Sequence, residues 1–261
     1  MLFKKKKLTT TRRALQLISD ASPFEYAESY KALRTNFNFV TANGSNRKIL
    51  VTSALRDEGK SSVAINLSIS LAQAGNKVLL IDADMRNPSI HRYMRIKKDH
   101  NAGLSTLLTS DAKVGDCMIK TEHGVDVIPG GPIPPNPAEL ITSDGMRELL
   151  NVAAKHYDYI ICDTPPVGVI TDAAAFSPLC DGVLYVIRQN FSNKNQVNEA
   201  VNNLNAVNAK LLGVVMSQYT IPKKPGKRYG RYRYGYNYGY GYGYGYGYNY
   251  AYTPIDDEDA E

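Results

Sequence analysis

The sequence predicts an α/β fold: a doubly wound, mostly parallel sheet with helices on both faces, followed by a disordered C-terminal tail. Two observations carry this. Apolar runs of strand length, bounded by turn residues, alternate with helix-length segments through the middle of the chain. The runs are also apolar throughout rather than at every second residue, as strands covered on both faces must be. Strand alternating with helix means βαβ units with right-handed crossovers. A chain of 261 residues is long enough for one such domain with appendages.

Four segments follow in order. Residues 1–22 form a basic segment, with Lys4 to Lys7, Arg12 and Arg13, and lack the apolar core of a signal peptide. Residues 23–45 carry an amphipathic pattern in which Phe24, Leu33, Phe37 and Val40 recur at near-helical spacing. This stretch precedes the first strand and is not a crossover, so it reads as an arm separate from the sheet. Residues 46–220 are the domain, with strands at Ile49–Thr52, Val78–Asp82, Val125–Pro129, Tyr159–Asp163, Gly182–Ile187 and Leu211–Met216. Its helices are Ser61–Ala74, closed by Gly75, then Met146–Ala154 and Asn195–Asn205.

Residues 221–261 are a tail. It carries Tyr229, Tyr232, Tyr234, Tyr236, Tyr238, Tyr240, Tyr242, Tyr244, Tyr246, Tyr248, Tyr250 and Tyr252, mostly separated by glycine. No aliphatic residue anchors Tyr229–Tyr252, and glycine raises the entropy lost on ordering, so the tail reads as disordered.

Composition narrows the function. Hydrophobic residues make up 43% and the net charge is +6, concentrated at the N-terminus and between Lys223 and Arg233. Such runs are either solvated ends or contacts with anionic lipid or an acidic partner. No recognition module accompanies them, which argues against nucleic acid. No stretch reaches the roughly 18 apolar residues of a membrane span. Cys117, Cys162 and Cys180 have no metal-site spacing and read as reduced thiols.

The chemistry begins where the first strand runs into Ala54-Leu55-Arg56-Asp57-Glu58-Gly59-Lys60-Ser61-Ser62. This is a Walker A loop with Ala54 in place of the first glycine. Gly59 lets the backbone approach phosphates, and the amides from Asp57 and Glu58 to Ser62 line the helix N-terminus. Lys60 supplies charge and Ser61 a hydroxyl for Mg²⁺. Two more strands end in carboxylates: one in Asp82-Ala83-Asp84-Met85-Arg86, the other in Asp163-Thr164-Pro165-Pro166, a Walker B pattern. The carboxyl ends of strands in a doubly wound sheet face the ligand crevice, so Asp82, Asp84 and Asp163 should meet at the phosphates. Each alone could equally be a helix N-cap. Together with Ser61 they suit Mg²⁺, which takes carboxylate, hydroxyl and phosphate oxygens.

A Walker A loop, a D-x-D-x-R strand and a D-x-x-P strand, taken together, resemble the bacterial tyrosine kinases. The resemblance extends to Glu28-Ser29-Tyr30-Lys31-Ala32-Leu33-Arg34, which is similar to that family's oligomerisation helix, and to the terminal tyrosines. It implies an ATP- and Mg²⁺-dependent protein-tyrosine kinase that phosphorylates its own tail, between subunits, and regulates capsule or exopolysaccharide synthesis. The implied acceptors are the twelve tail tyrosines from Tyr229 to Tyr252. Asp82 would be the base, Asp84 would position Mg²⁺ and its waters, Asp163 and Ser61 would hold the metal, and Lys60 would neutralise the β- and γ-phosphates. Arg86 would pair with acidic groups or touch phosphate. The implied partners are a membrane-anchored activator with a cytoplasmic tail, a ring-like homo-oligomer such as an octamer formed through Glu28, Lys31 and Arg34, and a cognate tyrosine phosphatase. The implied place is the cytoplasm, at the inner face of the plasma membrane.

Three departures stand out. Arg56-Asp57 occupy the place of the family's usual Pro-Gly, Lys31 that of an arginine, and Ser217 that of an asparagine near the adenine. A rival reading is a positioning ATPase of the kind that places septa, plasmids or metal clusters. Such proteins carry a lysine five residues before the P-loop lysine, where this chain has Leu55. Another takes the tyrosine-glycine tail as an adhesive segment on a nucleotide-dependent anchor.

Overall fold

The computed structural model describes residues 15–42, 47–96 and 102–220. The basic N-terminal run and the Lys223–Arg233 stretch lie outside the described residues. So do all the expected phosphate acceptors, Tyr229, Tyr232, Tyr234, Tyr236, Tyr238, Tyr240, Tyr242, Tyr244, Tyr246, Tyr248, Tyr250 and Tyr252.

The elements run α1 (Phe24–Thr41), β1 (Lys48–Ser53), α2 (Lys60–Gln73), β2 (Val78–Asp82), α3 (Ile90–Tyr93), α4 (Leu104–Thr109), α5 (Val114–Cys117), β3 (Ile119–Lys120) and β4 (Val125–Ile128). They continue with α6 (Pro137–Ile141), α7 (Asp144–Ala153), β5 (Tyr159–Asp163), α8 (Asp172–Phe176), β6 (Gly182–Arg188), α9 (Lys194–Asn205) and β7 (Leu211–Ser217). The seven strands form one sheet in the order β3-β4-β2-β5-β1-β6-β7. All pairings are parallel except the short β3 against β4. The six expected strands are present; β3 adds two residues too short for a periodic signal.

Alternate residues of each strand feed two cores. Leu50, Leu79, Ile81, Ile160, Cys162 and Tyr185 pack on one face with α6, α7 and α8. Ile49, Val51, Leu80, Ile161, Leu184 and Val186 pack on the other with α2. This two-sided burial is why the strands read as continuous apolar runs. The helix α2 is buried almost all round and ends as expected at Gly75, whose φ of 85° suits the left-handed C-cap. Among the described residues no helix is long and apolar enough to cross a membrane, and all three cysteines are free thiols.

The N-terminal helix corrects one expectation. It is not a separate arm, because α1 packs along α2, with Phe37 only 2% exposed and tilted against Tyr159. Phe24 and Val40, expected on the inward stripe, are 69% and 45% exposed. The inward stripe is instead Tyr26, Tyr30, Leu33 and Phe37, which packs on the second core at true helical spacing. Its two tyrosines concealed it from a reading based on aliphatic and phenylalanine positions.

Candidate active site

The site lies at the carboxyl ends of β1, β2 and β5. After β1 the chain turns through Ala54–Gly59 into α2. Gly59 takes a left-handed φ of 90°, and no side chain caps α2, so its first amides remain available to an anion. Asp57 also lies in the left-handed region, at φ 63°. The glycine expected two residues before Gly59 is thus replaced by a residue that tolerates its conformation. Ala54 has no such φ, which explains why alanine can stand where a first glycine belongs.

The loop is held by contacts no local pattern revealed. Glu58 is fully buried. One of its carboxylate oxygens accepts from the Leu55 amide at 2.6 Å and the other from the Ser192 hydroxyl. The Ser217 hydroxyl at the end of β7 donates to the Glu58 carbonyl at 2.5 Å, and Arg188 donates to the Asp57 carbonyl at 3.3 Å. The Glu58 side chain therefore anchors the loop. Behind it, the Thr52 hydroxyl donates to Pro165 O and the Val167 amide to Ser53 O, both at 2.8 Å, which ties the D-x-x-P turn to β1. A Cβ at Gly168 would lie 2.5 Å from Ala54 O, so only glycine allows this approach.

Parallel pairing of β2 with β5 sets Asp82 beside Asp163. Lys60 Nζ lies 3.3 Å from Asp84 Oδ2, 3.6 Å from Asp163 Oδ1 and 3.3 Å from Ser61 Oγ. The three expected carboxylates, Lys60 and Ser61 are thus brought together. Asp82 and Asp163 are wholly buried and Asp84 nearly so, at 6% exposed, so Asp84 stands at the opening. Asp82 Oδ2 accepts from the amides of Ser89 (2.8 Å) and Ile90 (3.0 Å). The capping role considered for a strand-end aspartate is therefore real for this oxygen. Its other oxygen, Oδ1, is buried without a donor, and the buried Asp163 oxygens have only longer approaches from Lys60, at 3.6 Å, and Ser61. Burial, then the Asp163 carboxylate, raises the Asp82 carboxyl to about 7, against the pull of the Ile90 and Ser89 amides and Lys60. Burial likewise raises Asp163, opposed by Lys60. Lys60 is pushed down by burial, but Asp163, Asp84 and Asp82 outweigh this and hold it above an ordinary lysine.

Arg86 does not enter this cluster. Its Nε and Nη2 bind the two oxygens of Asp172 at 2.7 and 3.0 Å, pinning the turn after β2 to α8. Of the sequence's two options for Arg86, the structure shows the acidic partner. Glu28 and Lys31 form an exposed ion pair of 2.7 Å on α1, whereas Arg34 donates to Ser70 O of α2 at 2.6 Å.

A buried Asp82 oxygen without a donor, a nearby hydroxyl and three carboxylates against one lysine make this a site that lacks positive charge, and a divalent cation fits it. Among the described residues, no three His, Cys, Asp or Glu are spaced to cage a metal alone. Mg²⁺ needs no such cage, since it takes one or two carboxylates and completes its shell with water and substrate phosphates.

A family model described as an AAA domain matches residues 49–213. The chain is 37% identical to the tyrosine-protein kinase YwqD of Bacillus subtilis (strain 168), over 79% of this chain and 86% of that protein. The chain belongs to the bacterial tyrosine-kinase family. Among solved structures, the chimerical protein CapA2B2 is similar at a TM-score of 0.69 and 40% identity, covering 75% of this chain and 85% of that one. The kinase domain of Escherichia coli tyrosine kinase ETK follows at 0.70 and 29%, covering 86% and 92%. The septum site-determining protein MinD of Pyrococcus horikoshii, complexed with Mg-ADP, shares the fold at 0.55 and 23% identity. In this bacterial tyrosine kinase, Leu55 in the position of the rivals' lysine is committed to the loop through its amide bond to Glu58.

Proposed function

We propose that the protein transfers the γ-phosphoryl group of ATP to tyrosine, above all to Tyr229–Tyr252 of its own chain. The observation that carries this reading is the grouping of Lys60 with Asp82, Asp84 and Asp163 beside the uncapped N-terminus of α2. The amides from Gly59 to Ser62 and the Lys60 ammonium bind the β- and γ-phosphates. Mg²⁺, when bound, neutralises phosphate charge, and Ser61, Asp84 and Asp163 are the groups that would hold it or its waters. Bound phosphates share the Lys60 ammonium with Asp84 and Asp163. The phenol oxygen then bonds to the γ-phosphorus as the bond from that phosphorus to ADP breaks. Asp82 Oδ1 receives the phenol proton. Asp82 suits this role by position, because its Oδ1 is buried without a donor at the strand end beside Lys60 and Asp163.

Arg86 acts through Asp172 to fix the turn that carries Asp84. The transfer runs between subunits of a ring-like homo-oligomer formed through α1. There the exposed Glu28 and Lys31 face the neighbour, while Arg34 braces α1 on α2. A membrane-anchored activator holds the kinase at the inner face of the membrane, a phosphatase reverses the modification, and the cycle regulates capsule or exopolysaccharide synthesis. The test is a phosphotyrosine blot of the purified full chain with MgATP, with and without the cytoplasmic tail of a candidate activator. Lys60→Met serves as control. Wild type that gains no phosphotyrosine under either condition refutes the reading.

A further inference from the structure

We infer that a cleft beside the carboxylates holds a second aromatic ring of the acceptor chain, two residues away from the tyrosine that reacts. This rests on the kinase reading above and names how its acceptor is recognised.

The cleft, about 300 Å³, opens between the start of α3 and the loop after β4, and is lined by Asn87, Pro88, His91 and Arg92 on one side and Gly131, Pro132 and Ile133 on the other. Its wall is also the wall of the site. The Asn87 amide donates to Asp84 Oδ1 at 3.1 Å, and the next two amides after Pro88 hold Asp82. A Cβ on Gly130 would lie 2.8 Å from Pro88 Cβ and 3.4 Å from Asp82 O, so the loop after β4 lies directly on this turn.

Its side of the site suits the acceptor. In the order β4-β2-β5-β1-β6-β7 the phosphate loop leaves β1, and its Gly59 sits against Ser217 of β7. The leaving ADP therefore lies toward β6 and β7. Roughly in-line displacement brings the attacking oxygen from the opposite side, which is the side of β2 and β4 where the cleft opens.

Its chemistry suits a neutral aromatic ring. Pro88 and Pro132 give flat apolar faces, and Ile133 adds an exposed apolar side chain, 66% exposed. Arg92, held to Pro88 O at 3.3 Å by one nitrogen, keeps the rest of its guanidinium for a ring face. The occupant is the segment Tyr229–Tyr252, in which tyrosines recur at nearly every second position with glycine between them. An extended chain rises about 3.3 Å per residue, so rings two residues apart lie about 7 Å from each other on one face. The interleaved glycines, having no Cβ, let the backbone pass close to the wall. From Pro222 to Tyr252 the contour reaches about 100 Å, enough to serve this or a neighbouring subunit.

Two peptides test it: one tyrosine in a glycine background, flanked at the second position on each side by phenylalanine or by alanine. With the full-length wild type, the phenylalanine peptide should have a KM lower by about tenfold. With full-length Ile133→Asp the two KM values should agree within about twofold, while affinity for a fluorescent ATP analogue matches wild type. Equal KM values on wild type, or a preference retained by Ile133→Asp, overturn the inference. A peptide with phenylalanine at every tyrosine position, followed by fluorescence anisotropy, gives a readout without turnover. Its binding to wild type but not to Ile133→Asp upholds the cleft even if no phosphate is transferred, in which case the kinase reading alone has failed. No binding to wild type overturns the cleft whatever the turnover.

Discussion

Replacing Asp82 by asparagine should stabilise the nucleotide-free protein, and only above acid pH. Asp82 is completely buried, and its carboxyl titrates near 7 instead of 3.8 because burial, then Asp163, disfavours its charge. The folded value lies above the unfolded one. Between about pH 4 and 7 the folded chain keeps a proton that the unfolded chain has released, so stability falls as pH rises through this window. The difference of roughly three units corresponds to about 4 kcal/mol at pH 8, about 2 at pH 5 and under 1 at pH 4. Asparagine keeps an oxygen for the amides of Ser89 and Ile90 and has no charge to bury. For a domain of this size, 1 kcal/mol moves Tm by about 2–4 °C, so Asp82→Asn should melt on the order of 10 °C higher at pH 8. The gain should shrink toward zero at pH 4. Differential scanning fluorimetry of both proteins without nucleotide, from pH 4 to 8, measures this. A gain independent of pH, or a less stable variant at pH 8, refutes the charge argument. The same variant should lose tyrosine phosphorylation while still binding ATP, the signature of a residue kept for chemistry at a cost in stability.

Lys60→Met should lower phosphotyrosine formation by at least about a hundredfold while the fold survives, since the charge on the phosphates is lost and the apolar stem retained; circular dichroism and a blot check both halves. Gly168→Ala would place a Cβ 2.5 Å from Ala54 O, and overpacking of this kind costs about 1–3 kcal/mol. Tm should drop by several degrees and ATP affinity should fall together with it, whereas a silent substitution would show that the phosphate loop does not depend on this contact. Glu28→Ala with Lys31→Ala should reduce the mass seen by light scattering with little change in Tm. Adding Arg34→Ala should cost about 2 kcal/mol more, through the lost bond to Ser70 O. An unchanged mass for the triple variant would exclude α1 as the interface. Full-length Lys60→Met mixed with an active chain lacking residues 229–261 should acquire phosphate on its tail. No label would mean that transfer does not cross between subunits.

Much of this protein is written locally. Strands covered on both faces need no polar alternation, so their apolar runs announced the sheet and its two layers of helices. Lys60 and Ser61 follow Gly59 directly, and Asp82 and Asp163 each end a strand; a parallel sheet sends all such ends to one edge. The family resemblance drew on the same short motifs. Tertiary structure decided what depends on residues far apart in sequence. Glu58, which reads as a phosphate-loop residue, is an anchor because Ser217, 159 positions later, donates to its carbonyl. Arg86 is bound to Asp172, 86 positions on, and is not in the carboxylate cluster. The inward face of α1 became visible only against α2, because tyrosine is buried or exposed according to what it meets. Whether a strand-end aspartate caps a helix or waits for a ligand also had no sequence answer. Asp82 does both, one oxygen held by the amides of α3 and the other buried without a donor, since only the fold sets the separation between each oxygen and its nearest N–H.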